Sequence, residues 1–277
     1  MKTKYILLSL CLMTFIGCNI NTPLEVTEKP ADIVYGSFTD ARDGITYKTI
    51  QIGNQTWMAE NLRYMPEVYP YWYYYRGKEC YYVYGYDGYD VKEARAHKVY
   101  NSNIGDYYSH QSVWQHFGTL YNNTAAQTAA PEGWRLPKPE DFKELFDYVQ
   151  RKYASGDRYY AAVLLKQSSY GMWSNADNWK QSLYYGNSGF DAMPAGKVVS
   201  RHSYSSGNCY EGDSRELGVS TYYWLSDVGY ISCLYCDFSN VLKKTVSSGY
   251  VSQGDCYSTT TWSNRDFYGY SIRCIKK

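Results

Sequence analysis

The stretch "ITYKTIQIGNQTWMAENL", residues 45–62, reads as a β-hairpin. Ile45, Tyr47 and Thr49 alternate with residues of the opposite face, Gly53-Asn54 supplies a two-residue turn, and Gln55 to Met58 return alongside. Further on, "PKPEDFKELFDYVQRKYA" (137–154) predicts a helix. Pro139 suits the first helical position, and Glu140 and Asp141 complement the positive end of the helix dipole. Phe142, Leu145, Phe146, Val149 and Tyr153 form one stripe that a sheet or another helix must cover. "DRYYAAVLLKQ" (157–167) predicts a second, shorter helix. Beyond about residue 170 the chain is rich in Gly, Ser, Asn, Asp and Tyr, with short strand-like runs. The clearest are "TYYWLS" (221–226) and "GYSIRCIKK" (269–277), in which Tyr270, Ile272 and Cys274 share a face. A hairpin, one or two helices, then many short strands and long loops is the order of an α+β domain.

Between hairpin and helix lies "YPYWYYYRGKECYYVYGYDGYD" (69–90), with ten Tyr in 22 residues; the whole chain has 35 Tyr and only 8 Phe. A Tyr ring buries like Phe, but its hydroxyl needs water or a partner. The rings hold no regular period, which predicts loop with short strands. We expect a tyrosine skin over the sheet edge, its hydroxyls in water, extending a contact face.

The first residues are of another kind. Lys2 and Lys4 precede a 13-residue apolar run (5–17), a length that suits a signal peptide better than a membrane span. Phe15-Ile16-Gly17-Cys18 resembles a bacterial lipobox, which implies cleavage before Cys18 and lipidation of its thiol; the other reading is an ordinary secretory signal. The expected division is a signal peptide over 1–17, a lipidated Cys18 with a Pro-containing tether to residue 37, and one domain over 38–277. The membrane partner is then reached through the lipid, at the outer membrane, on its cell-surface or periplasmic face. A net charge of +1 with no basic stripe argues against nucleic acid. With Cys11 and Cys18 left out, Cys80, Cys209, Cys233, Cys236, Cys256 and Cys274 make an even set, which predicts disulfides in an oxidising compartment. Cys233 and Cys236 have CxxC spacing, but no second such pair supports a zinc or redox site.

Five segments carry a resemblance: "FTDARDGITYKTIQIGNQTWMAENL" (38–62), "FGTLYN" (117–122), "PEGWRLPKPEDF" (131–142), "GFDAMPAGK" (189–197) and "YGYSIRCIKK" (268–277). In order and spacing the chain resembles the Fibrobacter succinogenes major paralogous domain, abundant in lipoproteins of Bacteroidetes and Fibrobacteres. The resemblance implies a C-type-lectin-like fold: short twisted antiparallel sheets, one or two helices, long loops, and paired N- and C-terminal strands. It implies no enzyme activity. The family commonly places a Cys where this chain has Ala130, matched with the late Cys that stands here as Cys274. Cys274 is therefore expected to pair elsewhere or stay free. Read physically, Trp57, Trp134, Leu136 and Pro137 are core. Arg135 bridges loop carbonyls or a carboxylate, and Glu60 and Asn61 fix the hairpin's exit through side-chain hydrogen bonds.

Chemistry-bearing motifs are sparse. The EPN, QPD and WND loops of calcium-dependent lectins do not occur. The nearest echo, Trp262-Ser263-Asn264-Arg265-Asp266, puts a cation where calcium would sit. HExxH, GxSxG and phosphate-loop patterns are missing, and no carboxylate pair stands out for glycoside hydrolysis. No cofactor or metal is expected. Tyr among Ser, Gly, Asn and Asp is instead the composition of adaptable binding surfaces. The candidate ligand face is Tyr222, Tyr223, Trp224, Asp227, Tyr230, Tyr235, Asp237, Trp262, Asn264 and Arg265, for a glycan or a protein; Tyr222 and Trp224 read equally as inward residues of a strand. The expectation is a lipid-anchored binding or adhesion module, not an enzyme. The alternatives are a glycan-acting enzyme or a structural subunit of a surface assembly. The late composition also resembles loops diversified by a retroelement.

Overall fold

The computed structural model describes residues 33–73, 77–100, 110–154, 161, 164–166, 188–200, 213–218, 221–226, 231–234, 257–260 and 268–277. In chain order the strands are β1 (Gly36–Thr39), β2 (Thr46–Ile52), β3 (Gln55–Met58), β4 (Tyr81–Tyr82), β5 (Leu120–Tyr121), β6 (Trp134–Arg135), β7 (Ala195–Val199), β8 (Asp213–Leu217), β9 (Ile231–Leu234), β10 (Tyr257–Thr260), β11 (Tyr268–Gly269) and β12 (Ile275–Lys276). The helices that are whole among the described residues are α1 (Val91–Ala96), α2 (Val113–Phe117), α3 (Asn123–Ala129) and α4 (Pro139–Tyr153). All the strand pairs are antiparallel, and the fold is α+β.

The predicted hairpin is β2–β3, closed between Ile52 and Gln55 by Gly53-Asn54. Gly53 has φ 60°, and a Cβ there would come within 2.9 Å of the Tyr148 ring on α4, so conformation and space both require glycine. The hairpin belongs to a five-stranded sheet in the order β1-β2-β3-β12-β6. Late strand β12 is thus inserted between the hairpin and the "GWR" strand, with Ile275 opposite both Trp57 and Arg135. N- and C-terminal strands share one sheet, as expected.

This sheet is covered on both faces. Ile50, Trp57 and Ile275 share the face packed by α4, where the Trp57 ring lies 5.1 Å from Phe142 and 5.3 Å from Phe190. Phe142, Leu145 and Val149, the centre of the predicted stripe, are fully buried. On the other face stand Phe38, Tyr47, Met58 and Trp134. Double cover explains why the alternation expected along β2 slips: Thr49 and Ile50, adjacent in sequence, are both buried.

Residues 270–275 differ from the single one-faced strand that was predicted. They run extended through the centre and are buried on every side, Ser271 and Arg273 as fully as Ile272 and Cys274. Their backbone bonds go in turn to Tyr121, Tyr222, Trp224, Leu62 and Met58, segments that approach from different directions. The "TYYWLS" run is likewise no regular strand. It makes one parallel bridge, Tyr223 to Ser271, and Tyr222 to Leu225 are all buried. With no solvent-facing side, neither segment needs polar residues at alternate positions.

The described part of the tyrosine-rich stretch is loop around the short β4, as expected, but five of its hydroxyls are bonded within the protein and not left to water. Tyr69 and Tyr81 donate to Glu67 and Glu79, each two residues earlier, at 2.6 and 2.8 Å. Tyr82 and Tyr84 donate to the carbonyls of Tyr73 and Ser214, and Tyr86 to Asp90. Tyr81, Tyr82, Tyr84 and Tyr86 are buried. The preference for Tyr over Phe follows from these bonds: irregular chain leaves carbonyls that a ladder would have satisfied, and the phenol supplies the donor.

Helices α1, α2 and α3 were not predicted, although their N-caps are legible: Asp90, Ser112 and Asn122 each accept from a backbone N–H three residues on. Of the predicted second helix, only residues 161 and 164–166 are described; there Leu165 N–H donates to the Ala161 carbonyl. Cys80 and Cys274 are fully buried and are not bonded to each other, and no disulfide joins described residues. Cys209, Cys236 and Cys256 lie outside the described residues, as does the Cys233 side chain. No described helix is long and apolar enough to cross a membrane.

Candidate functional site

The framework of the site is a buried guanidinium. Arg273 is fully enclosed, and Asn61 holds it: Nη2 and Nε donate to Asn61 Oδ1 at 2.7 and 3.2 Å. The same guanidinium donates to the carbonyls of Met58, Phe190 and Asp191 and lies against the rings of Phe190 and Tyr223. Asn61 Nδ2 completes the junction by donating to the Phe117 carbonyl at 2.8 Å. Carbonyl dipoles and ring faces thus replace the hydration of the charge. Beside it, Tyr35 donates to Asp191 Oδ2 at 2.5 Å, and burial raises the Asp191 carboxyl above its usual range.

Glu60 accepts the Lys48 N–H at 2.5 Å and pairs with Arg63, which clamps the hairpin where the chain leaves it. Arg135 grips Asp141 through two bonds of 2.5 and 2.8 Å and also donates to the Leu136 carbonyl. Trp57, Trp134, Leu136 and Pro137 are buried.

Next to this framework stands the sheet β11-β7-β8. Lys197 on β7 donates to Glu216 on β8 at 2.7 Å and to the Tyr222 hydroxyl at 3.0 Å, and that hydroxyl donates to the other oxygen of Glu216. Glu216 has φ 66°, and Gly196, across the ladder from it, has φ 65°. A Cβ on Gly196 would collide with the Arg215 carbonyl. A left-handed non-glycine residue costs on the order of 1 kcal/mol, and here the bonds of its carboxylate hold it in place. The Tyr222 ring stacks on Tyr270 at 5.0 Å, Tyr270 on Tyr268 at 5.6 Å, and Trp224 leans on Tyr270 at 4.8 Å. Trp224 Nε1 donates to the Tyr121 carbonyl at 2.6 Å.

This geometry corrects part of the sequence-based ligand face. Tyr222, Tyr223 and Trp224 are only 4, 0 and 1 % exposed, so their ring faces contact the core and not a ligand. The reading of Tyr222 and Trp224 as inward residues is the one the structure shows. Asp227, Tyr230, Tyr235, Asp237, Trp262, Asn264 and Arg265 lie outside the described residues, as do Cys18 and the calcium-loop echo. Sequence reasoning missed Lys197, Glu216 and Arg273. The signal for Arg273 was a charge inside an apolar run, "YSIRCI", which demands buried partners.

No curated protein and no solved structure matches the chain. A family model, that of the Fibrobacter succinogenes major domain, matches residues 50–276, which takes in the hairpin's return, the α4 helix and the buried late segment. The chain belongs to the Fibrobacter succinogenes major domain family.

Proposed function

We propose that this chain is a cell-envelope binding or adhesion module of C-type-lectin-like fold, carried on the outer membrane by a lipid on Cys18. Residues 227–265 supply the contact to a glycan or protein ligand. One observation carries the reading. Tyr223 and Ser271 are bridged inside the most buried part of the domain, so the two ends of the intervening segment stand at neighbouring points of the framework. That chain contains Tyr230, Tyr235, Trp262, Asn264 and Arg265 amid Ser, Gly and Asp. Adaptable, aromatic sequence held on a fixed stem is the arrangement of a paratope. The insertion of β12 beside β3 supports the lectin-like fold.

The test is binding to a glycan array and a host-protein panel, with Trp262→Ala and Tyr230→Ala as variants. The expected result is a ligand whose binding falls about tenfold or more in a variant with unchanged melting temperature. Turnover of a polysaccharide would favour an enzyme, and binding indifferent to both substitutions would refute this face. Radiolabelled fatty acid is expected in the wild type and not in Cys18→Ser.

A further inference from the structure

Trp72 and Tyr89 are, at 40 and 57 % exposed, two of the few large aromatic residues that the described surface presents to water. They stand on a common base. Tyr69 and Tyr73 stack at 4.6 Å with an interplanar angle of 20°. Tyr89 meets both edge-on, at 6.0 and 6.2 Å, and Trp72 meets Tyr73 at 6.4 Å with an angle of 61°. The base is fixed: Tyr69 donates to Glu67, the Tyr73 N–H donates to the Pro70 carbonyl, and Tyr82 donates to the Tyr73 carbonyl. Trp72 is fixed too, its Nε1 donating to Asp87 Oδ1 at 2.5 Å. The Lys78 ammonium lies over the Tyr69 ring at 4.6 Å, with no described carboxylate within ion-pair range.

Two exposed rings, each packed against Tyr73 and bordered by Lys78, Glu67 and Asp87, offer flat apolar faces beside hydrogen-bonding groups. We propose that they form a second binding site, for an uncharged pyranose polysaccharide. The C–H face of a sugar ring lies on Trp72 and Tyr89, and its hydroxyls donate to the carboxylates and accept from Lys78. The chemistry discriminates against other ligands. Among the described residues one cation stands beside two carboxylates, which disfavours an acidic glycan. A proline-rich peptide, the other common partner of exposed Trp and Tyr, has few N–H groups for the carboxylates, and the indole N–H it would use is taken by Asp87. No residue of 227–265 is among the described groups that build the site, and the variants below test it apart from the proposed ligand face.

Affinity gel electrophoresis of the full chain tests this, with β-glucan, mannan and xylan as probes, polygalacturonate as the acidic control, and a polyproline peptide measured by fluorescence anisotropy. At least one neutral polysaccharide is expected to retard the protein. Trp72→Ala and Tyr89→Ala should each weaken that retardation about tenfold or more, and Trp262→Ala should leave it unchanged. Neither substituted side chain is buried in the core, and an unchanged melting temperature verifies the fold. The proposal is overturned if no neutral polysaccharide retards the chain, if retardation survives both substitutions, or if only Trp262→Ala abolishes it. Dependence on Trp72 for polygalacturonate or polyproline alone also overturns it.

Discussion

Phe38 and Trp134 sit on the two edge strands of the five-stranded sheet, yet their ring centroids are 5.2 Å apart. In a flat sheet four strand spacings would hold those edges about 19 Å apart. The sheet therefore curls around Tyr47, whose hydroxyl accepts the Arg63 N–H inside the fold. Removing either ring opens the curl. Phe38→Ala is expected to lower stability by about 2 kcal/mol and Trp134→Ala by about 3 kcal/mol or more, measured by urea denaturation. A loss below about 0.5 kcal/mol for Trp134→Ala would show that the edges do not close on each other.

Arg273 makes the second prediction. Arg273→Met removes a buried charge but strands the Asn61 carbonyl and the carbonyls of Met58, Phe190 and Asp191. The expected cost is about 3 kcal/mol. The pair Asn61→Leu with Arg273→Met should recover part of it in a double-mutant cycle, and strict additivity would argue against their coupling.

The Asp40 carboxyl gives a pH signature. Burial works against its charge, but Arg42, bonded through 2.7 and 3.0 Å contacts, outweighs this and holds the carboxyl below its usual value of 3.8. Because the folded state lowers the value, the stabilisation is complete above about pH 4 and is lost as pH falls through the lowered folded value. Asp40→Asn should therefore be less stable than wild type at pH 7, by about 1–3 kcal/mol, with the gap closing toward pH 2. A pH-independent gap would assign the effect to packing.

Gly196→Ala is expected to destabilise by about 2 kcal/mol or more, since φ 65° and the Arg215 carbonyl both oppose a side chain. Differential scanning calorimetry would show it, and a neutral result would mean that the β7–β8 kink relaxes.

Burial pushes the Cys274 thiol up to about 12. Native iodoacetamide treatment at pH 8 should leave Cys274 unmodified while the urea-unfolded chain reacts, as read by peptide mass spectrometry. Rapid native labelling would mean that this thiol is not enclosed.

What could be read from sequence followed local physics. Gly53-Asn54 and Pro139 announce a turn and a helix start wherever they occur, so β2–β3 and α4 were legible. Tyr222 and Trp224 were not, because "TYYWLS" gives one pattern whether it faces solvent or lies sandwiched, and only the covering of both sides decides. The hydroxyls of 69–90 fall between these cases. Glu67-x-Tyr69 and Glu79-x-Tyr81 pair locally and could have been found, whereas the bond from Tyr84 to Ser214 spans 130 positions. Lys197 and Glu216 meet only because two kinked strands align them.

The placement of β12 at the sheet's interior has a temporal consequence. Residues 270–276 leave the ribosome after everything they bind, so Met58, Leu62, Tyr121 and Trp224 must wait, unpaired, for a strand not yet made. Native closure is thereby postponed until translation has passed the whole sheet, and the hairpin made first is completed by the strand made last.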